Sequence, residues 1–315
     1  MKGPSMTTTE ITTGELLTTS LVPGSPEWLA AGISSSRVAA IVGKSYWSSK
    51  FEVWHQMAGN LPYEGSLESK IQRRGRILEP AIATWFAEEH PEFAVNETGT
   101  WCRPEDRRLF GSPDRLAMRG EQLAAVVECK TAIVDDEYGP EGSAKIPEPY
   151  YVQAQWEMFV TGTDVCYVPV LHTYLNFALY VVPRDEAYIA NLRAEAVRFL
   201  DTLPGGKNYQ LPPIDGHEAT YAAIRKINPA IQDGDVIIPA ELGRDFLHAR
   251  QQSEEWEKAL RYYKSEIANT LGPFKTAVVK RGDNDYLKVA ARRMAKGGPT
   301  LYKGSAKLED LASIA

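Results

Sequence analysis

The 315-residue chain has few cysteines, no long apolar run and no overall excess of positive charge. Its three cysteines, Cys102, Cys129 and Cys166, are widely spaced, which excludes a disulfide framework and the usual zinc and iron–sulfur patterns. No stretch approaches the roughly 18 consecutive apolar residues that a membrane-spanning helix needs, so we expect no membrane partner. Together these absences favour a protein of the reducing cytoplasm.

The net charge of −6 is distributed unevenly along the chain. Between Arg261 and Lys307 there are 11 lysines and arginines against three acidic residues, so this segment is strongly basic. Basic side chains drive the binding of phosphate polyanions. We therefore predict that Arg292 and Arg293 contact a nucleic-acid backbone, and the alternative is that the segment forms a solvated charged face.

Hydrophobic periodicity divides the chain into a loose tail over residues 1–24, a core over 25–215 and an extension over 216–315. In the core it predicts helices over 33–42, 51–58, 68–89, 149–161 and 185–200, and strands over 93–101, 109–118, 123–130, 165–171 and 176–182. This order predicts an α/β fold whose central mixed sheet is flanked by helices on both faces.

The extension is predicted to contain a long helix over 240–271 and a hairpin over 277–294. Along the helix, apolar residues from Leu242 to Ile267 follow a heptad spacing. Two uses of this seam remain open: packing in a core, which we favour, and packing against a partner helix.

Two short motifs carry the chemical information, Pro113-Asp114 and Glu128-Cys129-Lys130. Side chains alternate along a strand, so Glu128 and Lys130 share one face. A turn at residues 119–122 would place Asp114 beside Glu128 on the neighbouring strand. Two carboxylates so close repel each other unless a cation lies between them, and a hard divalent ion such as Mg²⁺ suits oxygen ligands. The arrangement predicts metal-assisted phosphodiester hydrolysis, and a cross-strand salt bridge is the structural alternative.

These residues resemble the defining pattern of the PD-(D/E)XK nucleases, and three further motifs narrow the resemblance to the phage lambda exonuclease family, the YqaJ-like viral recombinases. Gly75 to Glu79 is similar to the family's Gly-x-x-x-Glu on the first core helix. Tyr150 to Gln155 resembles its Tyr-x-x-Gln-x-Gln helix, and Ile33 to Ser36 resembles its phosphate-binding segment. The resemblance covers about residues 28–215.

The resemblance implies a role for each matching residue. Asp114, Glu128 and the Cys129 carbonyl would bind the metal, with Glu79 completing the acidic set directly or through water. Lys130 would position the attacking water, and Gln153 would orient the water or the scissile phosphate. Asp114, Glu128, Lys130, Glu79 and Gln153 are therefore the expected catalytic residues, with Mg²⁺ as the cofactor and Mn²⁺ as an alternative.

One feature departs from the family pattern. Members of the family carry an arginine shortly before the phosphate-binding segment, whereas residues 28–31 here are Trp-Leu-Ala-Ala. Ser36 at a helix N-terminus can still favour an anion. The missing positive charge would then come from Arg37, or from the cluster of Arg73, Arg74 and Arg76.

The resemblance implies a Mg²⁺-dependent 5′→3′ exonuclease that acts on double-stranded DNA ends and leaves 3′ overhangs for phage-type recombination. It further implies a homotrimer, a single-strand annealing partner and a phage or prophage protein in the cytoplasm of a bacterial host. The alternatives are a RecB-like repair nuclease, a restriction-type endonuclease, and a DNA-end-binding protein without activity.

Overall fold

The computed structural model describes residues 14–17, 25–61, 69–133 and 137–312. The chain forms two compact units, residues 1–231 and 232–315. The first unit therefore includes a helix beyond residue 215, Glu218–Ile227, whose Thr220 hydroxyl donates to Ser49 Oγ at 2.7 Å. None of the helices in the described residues is long and apolar enough to cross a membrane.

The first unit contains seven α-helices and nine strands among its described residues. The helices are α1 (Pro26–Ala31), α2 (Ser35–Ile41), α3 (Lys50–Met57), α4 (Lys70–Glu89), α5 (Glu148–Thr161), α6 (Glu186–Thr202) and α7 (Glu218–Ile227). The strands are β1 (Glu15–Leu16), β2 (Ala94–Asn96), β3 (Trp101–Arg103), β4 (Asp106–Gly111), β5 (Arg115–Arg119), β6 (Gln122–Val127), β7 (Lys130–Thr131), β8 (Val165–Leu171) and β9 (Phe177–Pro183).

Six of these strands build the central mixed sheet. Strand β2 pairs with β5, β5 with β6, and β8 with β9, all antiparallel, whereas β6 and β7 both run parallel to β8. Val126 lies opposite Cys166 and Lys130 lies opposite Val170, so β6 and β7 follow one another along β8 in the same register. They are one strand interrupted at residues 128–129.

Helices cover both faces of this sheet, as the sequence predicts. Successive side chains of a strand point to opposite faces, and Val126 packs with Ala154 and Met158 of α5. Its neighbour Val127 packs on the other face with Phe86 of α4. A third apolar cluster joins α2, α3, α5 and α6. The predicted α/β architecture, a mixed sheet flanked by helices, is confirmed.

One predicted strand is broken in the structure. The apolar pattern predicts a continuous strand over residues 109–118, but the chain leaves β4 at Gly111 and enters β5 at Arg115. Pro113 lies between them and has no N–H to donate to a ladder, which explains the break. Strand β4 pairs with β3 in a separate sheet, so Asp114 lies just before the first residue of β5.

The predicted loose tail is ordered over the part that the structure describes. Glu15 and Leu16 pair with Cys102 and Trp101, and add a third strand to the sheet of β3 and β4. The N–H and C=O groups of an edge strand are satisfied by such pairing. The rest of the predicted tail, residues 1–13 and 18–24, lies outside the described residues.

The second unit consists of a long helix, a small sheet and a short helix. Helix α8 spans Ala240–Leu271, as predicted, and is followed by β10 (Thr276–Gly282), β11 (Asp285–Ala295), β12 (Gly298–Lys303) and α9 (Leu308–Leu311). The expected hairpin is β10 and β11, but β12 pairs with β11 and extends it to three strands.

The heptad seam of α8 is mostly exposed, so the favoured interpretation of core packing is wrong for most of the helix. Leu242, Phe246 and Trp256 are exposed, the last with 75% of its surface accessible. Near the C-terminal end, by contrast, Leu271 is buried and this part of α8 contacts β10. The seam, which ends at Ile267, thus lies mostly outside the core of the unit, and α8 contributes to that core through Leu271 in its last turn.

Candidate active site

The interruption between β6 and β7 brings the two sequence motifs together. The backbone N–H of Glu128 donates to Tyr167 of β8 at 2.9 Å, as in a continuous ladder. The next N–H, that of Cys129, instead donates to Asp114 Oδ2 at 2.8 Å. Because Arg115 pairs with Val127, Asp114 lies beside Glu128 as the sequence register predicts.

Glu128, Lys130 and Gln153 form a hydrogen-bonded group on one side of this break. Lys130 Nζ contacts Glu128 Oε1 directly and donates to Gln153 Oε1 at 3.2 Å. The amide nitrogen of Gln153 donates to Glu128 Oε1 at 2.6 Å. Alternation along the strand therefore places Glu128 and Lys130 together, and helix α5 supplies Gln153.

Gln155 lies in a different environment from Gln153. It is buried, donates to the Pro183 carbonyl at 2.8 Å and accepts from the Asp185 N–H at 2.9 Å. Side chains two residues apart on a helix do not share a face. Of the two glutamines, the structure brings only Gln153 to the acidic group, and Gln155 ties α5 to the start of α6.

A further carboxylate, Glu157, lies one helical turn beyond Gln153 and was missed by the sequence reasoning. It is fully buried and accepts from Gln153 Nε2 at 3.1 Å. Burial, followed by the charge of Glu128, raises the pKa of Glu157 well above its ordinary value. The spacing in the sequence could have revealed it, because Glu157 follows Gln153 by four residues and residues i and i+4 of a helix are neighbours.

The electrostatics of the site raise the pKa of Asp114 and of Glu157 and also that of Lys130. Burial and the neighbouring Glu128 raise the pKa of Asp114 well above its usual range. Burial alone would lower the pKa of Lys130, but Glu128 and Asp114 outweigh it and the pKa is raised. The ring of Tyr150 also lies 4.9 Å from Lys130 Nζ. Lys130 is thus an ammonium ion at neutral pH.

Glu79 enters the site from α4 and is held by an arginine that the sequence reasoning also missed. Arg115 Nη1 donates to Glu79 Oε1 at 2.7 Å, and its Nη2 lies 3.6 Å from Glu97 Oε1. Arg115 is buried and begins β5 immediately after Asp114. The available signal was an arginine directly before the apolar residues Leu116, Ala117 and Met118 of a predicted strand.

The carboxylates offer a partial set of metal ligands. Among the described residues no group of three or more His, Cys, Asp and Glu side chains is arranged to hold an ion. Mg²⁺, however, is usually held by one or two carboxylates and keeps several waters. Glu128 is 2% exposed, and its Oε2 is buried without a hydrogen-bond partner in the described residues when the neighbouring Glu157 is ionised. Asp114 and this unsatisfied oxygen of Glu128 therefore fit a partly hydrated divalent ion.

The residues predicted to hold a 5′ phosphate are only partly exposed. Ser36 is exposed near the start of α2, and its hydroxyl lies 3.1 Å from that of Ser34. Arg37 is buried, donates to the Gly32 carbonyl at 3.2 Å and lies over the Trp28 ring. Burial lowers the pKa of Arg37 to about 10, so it remains charged. The expectation that Arg37 faces an external phosphate does not match this inward position.

The arginines before Glu79 differ in their surroundings. Arg73 and Arg76 are exposed, whereas Arg74 is half-buried and donates to Thr131 Oγ1 at 3.4 Å. Thr131 follows Lys130 in β7, so the hydrogen bond places Arg74 beside the residue next to Lys130. The structure thus places the Arg74 side chain against β7, the strand that carries Lys130.

The two arginines of the second unit also differ. The guanidinium of Arg292 donates to the carbonyls of Gly272 and Phe274, and so fixes the turn that follows α8. Arg293 is exposed and lies 5.8 Å from the centroid of the Tyr302 ring. A guanidinium bonded to main-chain carbonyls has less capacity for a phosphate, so the two predicted contacts are not equivalent.

The chain is similar to a protein family and to a curated bacterial protein. Residues 27–164 match the model of the YqaJ-like viral recombinase domain. The chain is 26% identical over 257 residues to the uncharacterized protein YqaJ of Bacillus subtilis, and the match covers 78% of this chain and 77% of that protein.

Among solved structures, an alkaline exonuclease from Laribacter hongkongensis is 20% identical with a TM-score of 0.43, over 65% of this chain and all of that one. A phage-related exonuclease from Haemophilus somnus is 12% identical with a TM-score of 0.37, over 53% of this chain and 91% of that one.

Proposed function

We propose that this chain, whose residues 27–164 form a YqaJ-like viral recombinase domain, is a Mg²⁺-dependent 5′→3′ exonuclease on double-stranded DNA ends. The observation that carries the proposal is the convergence of Asp114, Glu128, Lys130 and Gln153 at the break between β6 and β7. Carboxylates that can hold a divalent ion beside a fixed ammonium are suited to phosphodiester hydrolysis.

Asp114, Glu128 and the Cys129 carbonyl would hold the ion, and Glu79 would take part directly or through water. When bound, the ion supplies charge stabilisation to the phosphate oxygens and lowers the pKa of water. The Cys129 N–H keeps the Asp114 carboxylate in one orientation. A fixed ligand requires no reorganisation at the moment of reaction, which is a general source of catalytic efficiency.

Lys130 would hold the attacking water and counter the developing negative charge. Its raised pKa makes it an ammonium donor rather than a neutral base at neutral pH. Gln153 would orient the same water or the scissile phosphate through the amide that now contacts Glu128 and Lys130. Each of these groups lies on an element of the sheet or on α5, so the site is built on rigid structure.

The proposed product is a duplex with a 3′ single-stranded overhang, which a single-strand annealing protein would take up in phage-type recombination. A homotrimer and a location in the bacterial cytoplasm belong to the same proposal. Ser36, Arg73, Arg74 and Arg76 are the proposed contacts of the 5′-terminal phosphate, and Arg293 is the proposed contact of the second unit with the DNA backbone.

One gel assay tests the proposal. Linear duplexes labelled at the 5′ or the 3′ end and a closed circular duplex are incubated with Mg²⁺, with Ca²⁺ or with EDTA. We expect only the linear DNA to be degraded, from its 5′ ends and only with Mg²⁺ or Mn²⁺, while Ca²⁺ supports binding alone because its looser coordination places the water poorly. The variant Lys130→Ala serves as the control for a contaminating nuclease.

The rival functions give different results in the same assay. Cleavage of the circle would indicate a restriction-type endonuclease, and degradation from the 3′ ends as well as from the 5′ ends would indicate a RecB-like repair nuclease. Binding of ends without any cleavage would indicate an inactive DNA-end-binding protein. Robust cleavage in EDTA would rule out the metal mechanism altogether.

A further inference from the structure

We infer that Trp47 and Tyr150 form a stacking platform for one unpaired nucleobase of the strand that is being cut. The platform is continuous with the proposed active site through Tyr150, which contacts both Trp47 and Lys130. This inference rests on the proposed nuclease function and names a subsite for the substrate of that same site.

The geometry of the pair is that of an open stack. The rings of Trp47 and Tyr150 lie 5.8 Å apart at an angle of 28°. Tyr150 is half-buried at the start of α5, whereas 63% of the surface of Trp47 is exposed. An indole that stacks on one side and is exposed elsewhere offers an aromatic surface to a ligand.

The loop that carries Trp47 is held in place on both sides. Lys44 forms an ion pair of 2.6 Å with Glu148, and Tyr46 donates to Glu137 at 2.7 Å. On the other side, Ser48 donates to Glu52 of α3 at 2.7 Å. Ordering an exposed tryptophan costs conformational entropy. Because these bonds order the loop before any ligand binds, less entropy is lost on binding.

The position of the pair selects a nucleobase as the occupant. Lys130 Nζ lies 4.9 Å from the centroid of the Tyr150 ring, and the centroid of the Trp47 ring lies 5.8 Å from that same ring. With the scissile phosphate at Lys130, the base of a nucleotide within about three positions can reach the indole, because stacked bases rise by about 3.4 Å each. Every base has a π-face, so the platform would bind without regard to sequence.

A second exposed stack in the same unit provides a matched comparison. Trp85 of α4 lies parallel to Phe177, with centroids 4.6 Å apart and 41% of its surface exposed. Its indole donates to Glu89 and makes no contact with Lys130 or Tyr150 among the described residues. Trp85 therefore shares the chemistry of Trp47 but not its position.

A thermodynamic cycle between the protein and the DNA tests the inference. Affinity for a duplex end is measured in Ca²⁺ with ordinary DNA and with DNA that is abasic at position 1, 2 or 3 of the cut strand. We expect one abasic position to weaken wild-type binding by about 10-fold, within the usual range for a stacked base. The variant Trp47→Ala should bind ordinary DNA equally weakly and show no further loss at that position.

Two control variants complete the cycle. Trp47→Phe keeps an aromatic surface and should retain most of the discrimination, and Trp85→Ala should behave as the wild type. If the abasic substitution costs the same in Trp47→Ala as in the wild type, no base stacks on Trp47 and the inference is overturned. Cleavage of ordinary linear DNA by the wild type is measured in parallel, so that loss of the proposed function itself is recognised separately.

Discussion

The carboxylate of Asp114 accepts a 2.8 Å hydrogen bond from the backbone N–H of Cys129. Through this bond the residue before β5 is tied to the residue between β6 and β7, and the two sequence motifs become one structure. The bond also satisfies an N–H that the sheet leaves unpaired where the strand breaks. One oxygen of Asp114 is thus fixed by the backbone while the carboxylate remains beside Glu128.

Replacement of Asp114 by asparagine should abolish the stabilisation of the protein by Mg²⁺. A ligand that binds only the native state stabilises it by about 2.7 kcal/mol at 100 times its Kd, and the neutral amide of the variant would lack the charge needed to hold the ion. The measurement is Tm with and without Mg²⁺. The exposed Asp164→Asn variant is the control and should respond as the wild type. An equal response of both variants would place the ion elsewhere.

Replacement of Lys130 by alanine should reduce cleavage by about 10²-fold or more, which is the scale of losing one positioned catalytic group. The Mg²⁺-dependent rise in Tm and the affinity for DNA should persist, because Lys130 is not a proposed metal ligand. The exposed Lys145→Ala variant controls for a general loss of charge. Cleavage by Lys130→Ala at the wild-type rate would refute the role proposed for Lys130.

The contribution of Glu157 to the stability of the metal-free protein should fall as the pH rises above about 4, the ordinary pKa of a carboxyl group. The pKa of Glu157 is raised by burial and by Glu128, so the native state retains a proton that the unfolded chain releases. The stabilising effect is complete below the unfolded-state pKa and is lost towards the raised one. In Glu157→Gln this falling contribution is absent, so the slope of Tm against pH in EDTA should be less negative or more positive than in the wild type. An unchanged slope in this variant would contradict the assignment.

The neighbours Arg292 and Arg293 should respond differently to alanine substitution. Arg293→Ala should weaken DNA binding and flatten the slope of log affinity against log salt by about one unit, the effect of one lost phosphate contact. Arg292→Ala should instead lower the urea midpoint of unfolding, because it leaves the carbonyls of Gly272 and Phe274 without their donor. Identical salt slopes for wild type and Arg293→Ala would indicate a solvated face.

The pattern of the sequence predicts those parts of the site that depend on strand and helix periodicity. Alternation places Glu128 and Lys130 on one face, and the turn at residues 119–122 sets Asp114 beside Glu128. The break at Pro113 follows from its missing N–H but was overlooked, because the apolar residues on either side suggested one strand. Local sequence patterns thus predict the face on which a side chain lies and the pairing register of two strands better than they predict where a strand ends.

The sequence is less informative where a charge pairs across elements distant in the chain. The partner of Arg115 is Glu79, 36 residues away on α4, and no local pattern reveals that contact. Arg37 is an example of a charge that the sequence suggests is exposed, because it follows the predicted phosphate-binding segment. In the structure its side chain is buried. The seam of α8 likewise has heptad spacing, but spacing alone does not determine whether another element covers it.

The break in the strand at residue 129 also has a consequence for sequence variation. The proposed site uses only the peptide groups of Cys129, its N–H for Asp114 and its carbonyl for the ion, while its side chain packs in the apolar cluster beside Phe86. Any residue of similar size and polarity could therefore replace this cysteine without changing the ligands. The position between Glu128 and Lys130 is therefore constrained by packing alone, and substitution of Cys129 by alanine or valine should remove its thiol and leave the proposed ligands unchanged.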